Sequence, residues 1–185
     1  MADFLANILA EPPTLLGLRL LPFSVGHYAI LSNLQNPFIS GGQQGLHDCI
    51  MLILICSKDY AAAKSWLWNL SQVDLAKESR RLAKKYPTAN VGDLTSAIQV
   101  YLSHFAEFPK VWHKKDSEDQ TIPEFIRSVL VTLMRKCRMT ETEAINCPLS
   151  RAVHYCIEAN GQTESLVSDF EQSALAAMAK DKGKS

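Results

Sequence analysis

Apolar residues along most of this chain recur at three- and four-residue spacing, the period of a helix with one face turned to a core, and the pattern predicts a succession of helices. The plainest example runs from Ile122 to Gly161. Ile126, Val129, Leu130, Leu133, Met134 and Cys137 fall on one stripe, Pro123 suits a first helical position, and Arg135, Lys136 and Arg138 crowd the last turn, where carbonyl dipoles favour cations. Thr140 and Glu143 stand at capping-box spacing, which predicts a short helix from that point. Asn146, Cys147 and Pro148 end it and start another, on which Leu149, Ala152, Val153 and Cys156 share a face until Gly161. The result is two amphipathic helices around a compact capped turn, an interaction hairpin with no recognisable catalytic group.

Upstream, Pro12 and Pro13 break a helix-prone start, and LLGLRLLPF reads as an extended connector or a short strand. Ser24 can cap a helix through about Leu34, after which Asn36, Pro37 and GGQQG predict a loop. That loop is not a phosphate cradle, because the lysine and Ser/Thr of a P-loop are missing. From Leu46 to Ser57 apolar side chains point in all directions, so a helix here must be central and surrounded. A buried strand is the competing reading, since Ile50, Ile53 and Ile55 are β-branched; helix is preferred. Asp59 can cap the next helix, carrying Ala63, Trp66, Leu67 and Leu70, and its continuation to Tyr86 holds Lys77, Arg80, Arg81, Lys84 and Lys85, read as a solvated helix end. Leu94, Ala97, Ile98, Tyr101, Leu102 and Phe105 mark a further helix, from near Asn90 to before Pro109.

The expected fold class is therefore all-α, a compact multi-helix bundle with a small C-terminal helical subdomain and minimal strand. Its expected organisation is a main helical core over 1–112, a charged linker over 113–121, a C-terminal helical hairpin and last helix over 122–179, and a disordered tail over 180–185. Leu166, Phe170 and Leu175 carry the pattern of the last helix.

Composition narrows the partners. Nineteen basic and nineteen acidic side chains cancel, which removes the electrostatic case for nucleic acid or anionic membrane and tilts the chain towards a protein partner or a homo-oligomer. The longest apolar run, Cys49 to Cys56, is far below the roughly 18 residues that a membrane helix needs. The start MADFLANILAEPP does not resemble a secretory signal. Of five cysteines, Cys49, Cys56, Cys137 and Cys156 sit on apolar helical surfaces, which fits buried thiols in a reducing, cytoplasmic setting.

Candidate chemistry changes little. The five histidines occur without HExxH or paired CxxC elements. His154 and Cys156 lie about 200° apart on one helix and do not readily share a metal. No nucleophile elbow is present. Catalytic, cofactor and metal sites are all expected to be absent. An enzyme would need His27, His47 or His154 to converge with buried carboxylates.

Two stretches, LPFSVGHYAILSNLQNPF at 21–38 and MTETEAINCPLSRAVHYCIEANG at 139–161, resemble small helical proteins of tailed-phage tail modules, particularly tail assembly chaperones. The resemblance implies a non-enzymatic protein of the host cytoplasm that binds the long tape-measure protein before the tail tube forms around it. A helical client exposes apolar stripes that grooves between chaperone helices can shield, and the candidate lining residues are Trp112, Met134, Met139, Leu149 and Val153. The alternative is a structural or connector component of the virion.

Overall fold

The computed structural model describes residues 11–69, 77, 80–82, 84–86, 90–106 and 122–160. The expected linker over 113–121, Trp112, Leu70, the Gly161 stop, the last helix and the tail lie outside them. The chain is mostly helical, as its periodicity predicts.

The LLGLRLLPF segment resolves into a minimal hairpin. Strand β1 (Thr14–Leu15) pairs antiparallel with β2 (Leu18–Arg19), Thr14 opposite Arg19 and Leu15 opposite Leu18. Both residues of its two-residue turn have positive φ, 49° at Leu16 and 69° at Gly17, the signature of the turn that matches strand twist. Gly17 also admits the Tyr86 hydroxyl, which a Cβ would strike.

Helix α1 (Val25–Asn33) starts at Ser24, whose hydroxyl accepts from the His27 N–H at 3.2 Å while the Ser24 N–H donates to His27 Nδ1 at 3.1 Å. The reciprocal pair is a capping box with histidine in the place usually taken by a carboxylate or amide. The loop expected after it is partly helical. Asn36 Oδ1 accepts from the Phe38 N–H at 3.1 Å and Pro37 occupies the first turn of α2 (Pro37–Ser40), so the Asn-Pro pair starts a helical turn. The turn ends at Gly41, whose φ of 79° lies in the left-handed region that favours glycine.

Helix α3 (Leu46–Cys56) confirms the helical reading of the apolar run, and every residue from Cys49 to Cys56 is buried. Its neighbours include α1, α4 (Tyr60–Trp68, capped by Asp59) and α5 (Val91–Ala106). The Tyr101 hydroxyl on α5 donates to the Leu21 carbonyl at 2.7 Å, fixing α5 against the entry to α1. The described residues between α4 and α5 include buried Leu82, while Lys77, Arg80, Arg81, Lys84 and Lys85 are exposed.

The C-terminal part contains α6 (Ile122–Arg135), α7 (Glu141–Asn146) and α8 (Leu149–Ala159). The Thr140–Glu143 box is formed: Glu143 N–H donates to Thr140 Oγ1 at 3.3 Å, and Thr140 N–H donates to Glu143 Oε2 at 2.8 Å. Thr140→Ala should lower unfolding free energy by about 1 kcal/mol, measured by urea titration, because α7 then loses its hydroxyl cap; no change would mean that tertiary contacts alone fix this turn. The ends of α6 and α8 lie together, since Lys136 Nζ donates to the Ala159 carbonyl at 3.2 Å and to Asn160 Oδ1 at 2.6 Å.

Strong ties join this part to the N-terminal helices. Ser24 and Pro148 form an isolated antiparallel bridge, with Val25 N–H donating to the Cys147 carbonyl at 3.0 Å and Leu149 N–H to the Phe23 carbonyl at 2.7 Å. Asn146 Oδ1 accepts from the Tyr60 N–H at 3.0 Å, tying α7 to the first residue of α4. One buried cluster accordingly runs from Leu20, Phe23 and Leu52 through Tyr101 to Leu133, Leu149 and Ala152. Helix α1 is the common neighbour of α2, α3, α4, α6, α7 and α8. Gly26 permits part of that closeness, because a Cβ there would stand 2.6 Å from the Tyr60 ring.

Candidate functional site

Helix α6 carries more apolar surface than the core covers. Val129 and Leu133 are buried, and Phe125, Ile126 and Leu130 pack partly against them. At about 100° per residue, Met134 and Val131 lie about 140° and 200° around the helix from Val129, well off the inward face. Both are 42% exposed. A helix buried on one side ordinarily turns polar residues outward, so the apolar arc that continues past Leu130 calls for a physical explanation.

The arc faces α1 across a groove of about 440 Å³. Ile126, Arg127, Leu130, Val131 and Met134 form one wall, and Ala29, Ser32 and Asn33 of α1 form the other. The α1 residues are short and occupy adjacent turns, which leaves the space that larger side chains would fill. Tyr28 and Phe125, next in sequence to Ala29 and Ile126, pack edge to face with ring centroids 6.1 Å apart and hold the two helices together at that end. The wall from Ile126 to Met134 is about 12 Å long at 1.5 Å per residue, somewhat more than two turns of a helix laid along it.

The sequence-derived lining residues divide. Met134 is in the groove. Met139 is half-buried against the core, its N–H donating to the Leu133 carbonyl at 3.1 Å. Leu149 is fully buried and bridged to Phe23, and Val153 is half-buried on α8. Trp112 lies outside the described residues. Periodicity missed Val131, which sits off the main stripe, and the α1 wall, where Ala29, Ser32 and Asn33 read as ordinary surface. A signal was present in Val131 and Met134 together, an apolar pair at i and i+3 on the side away from Val129.

Several other chemistry-bearing groups among the described residues are tied into the fold. Burial pushes the Cys56 thiol up to about 12 and the Cys147 and Cys156 thiols up to about 11, so they stay protonated and weakly nucleophilic at neutral pH. His27 is bound at both ring nitrogens, to the Ser24 N–H and to the Lys58 carbonyl at 2.7 Å. His154 Nε2 is 3.1 Å from Glu158 Oε1, whereas Cys156 Sγ points at the Val129 carbonyl at 3.8 Å. Among the described residues no group of three or more His, Cys, Asp or Glu side chains is placed to hold a metal ion, and no helix is long and apolar enough to cross a membrane. No protein-family model, curated protein or solved structure matches the chain.

Proposed function

We propose that this chain is a non-enzymatic protein-binding module whose α1–α6 groove receives an amphipathic helix of another protein, and that it serves as a tail assembly chaperone for a long tape-measure-like client in the host cytoplasm. The observation that carries the binding role is the apolar arc of α6, which extends to half-exposed Val131 and Met134 beside a groove of helix-binding length. The client assignment rests on the resemblance at 21–38 and 139–161. Those stretches, far apart in sequence, meet at the Ser24–Pro148 bridge, and the first contains the α1 wall.

The test is co-expression with the longest helical reading frame beside this gene, followed by affinity capture. Native protein should retain the client in solution, and Val131→Glu with Met134→Glu should weaken capture by about tenfold or more, because charges would enter an apolar contact. No capture, with no gain in client solubility, would sink the client assignment. Capture untouched by the double variant would move the binding surface elsewhere, and detection of the chain in purified particles would favour a virion component.

A further inference from the structure

We infer that the helix accepted by this groove is acidic along one edge and pairs a carboxylate with Arg127, an inference that rests on the docking role proposed above. Arg127, Val131 and Met134 stand at i, i+4 and i+7, one row along the outer side of α6. Among the described residues of the lining Arg127 is the only ionic one, the others being apolar or, in Ser32 and Asn33, neutral. It is exposed and forms no ion pair among the described residues. Its aliphatic stem can lie along the apolar wall while the guanidinium stays at the wet rim.

A docked helix would strip water from that cation. An apolar or basic partner would leave the charge poorly compensated, whereas a carboxylate beside the partner's apolar stripe would meet the guanidinium with two oxygens and restore the lost hydrogen bonds. Arg127 therefore selects against basic helices as well as for acidic ones. Among the described residues the groove itself carries no carboxylate in its lining, so the charge that meets Arg127 comes from the occupant. Its length of about 12 Å matches apolar anchors at i, i+4 and i+7, with the acidic residue one row to the side.

Two labelled 18-residue amphipathic peptides provide the probe, identical in their leucine stripe and carrying either glutamate or lysine along one edge. Fluorescence anisotropy with the full chain at low salt should show the glutamate peptide binding roughly 3- to 10-fold tighter than the lysine peptide, the scale of an exposed ion pair gained against a like-charge contact, with the gap narrowing as salt rises. Arg127→Gln should remove the preference and Arg127→Glu should reverse it, with circular dichroism showing that both variants keep native helicity. Equal binding of both peptides to the native chain would overturn the acidic-edge inference and leave the docking role standing. Binding of neither would overturn both. A dimer in sedimentation that Met134→Glu dissociates would assign the groove to a second copy and overturn the inference.

Discussion

Phe23→Ala should destabilise the protein by about 3–5 kcal/mol, the cost of deleting a buried ring and leaving a cavity that the surroundings fill only partly. Phe23 is fully buried where α1, α5 and α8 meet. Its ring stands edge to face with Tyr101 at 6.1 Å and with Tyr28 at 6.5 Å, and is tilted against the His27 ring at 6.0 Å. Its carbonyl receives the Leu149 N–H, so backbone on both sides of the void is pinned and cannot readily collapse into it. Set against a typical domain stability of roughly 5–15 kcal/mol, this is a large fraction. Urea unfolding of the variant measures it directly. A loss below about 1 kcal/mol would show that the ring does not hold these helices together.

Acidification should selectively weaken the start of α1. The Ser24 N–H points at His27 Nδ1, so that nitrogen must present its lone pair and the proton must sit on Nε2, where it donates to the Lys58 carbonyl. Protonating Nδ1 would set two donors against each other. Desolvation by burial lowers the His27 pKa from 6.5, outweighing the hydrogen bonds to backbone and the nearby Asp59 charge, which raise it. The unfolded chain therefore binds this proton more readily than the folded one. Stability should be fully present above 6.5 and fall as pH drops below it, by at most about 1.4 kcal/mol per pH unit, until the folded-state imidazole itself titrates. The free energy of unfolding of native protein relative to His27→Gln, measured from pH 7.5 to 5, should decline along that course. A difference that stays flat with pH would contradict the assigned tautomer and its role.

Most of the helices were legible in the sequence because burial and capping leave local marks. Ser24, Asp59 and Thr140 each cap the helix that their spacing predicts, and the stripe on α5 ends on buried Tyr101 and Phe105. The run Cys49–Cys56 required a choice between helix and strand that its residues alone could not force; helices around it on several sides resolve it. Asn36–Pro37 was misleading, since the same two residues that break one helix can start the next. The Ser24–Pro148 bridge had no local signature, because it joins segments more than a hundred residues apart through backbone groups that every sequence possesses. The groove follows the same rule. Its α6 wall could be read from an apolar arc too wide for one core, but its α1 wall consists of small residues whose importance depends on how far Tyr28 and Phe125 let the two helices separate.

A partner helix seated in the α1–α6 groove would lie against Val131. The most direct measurement is photo-crosslinking from a benzophenone side chain placed at Val131 or, as a control, at Val100, an exposed valine on α5 outside the groove. With the client co-expressed, Val131 should crosslink to it strongly and Val100 only weakly; equal crosslinking from both, or crosslinking from Val100 alone, would contradict that placement.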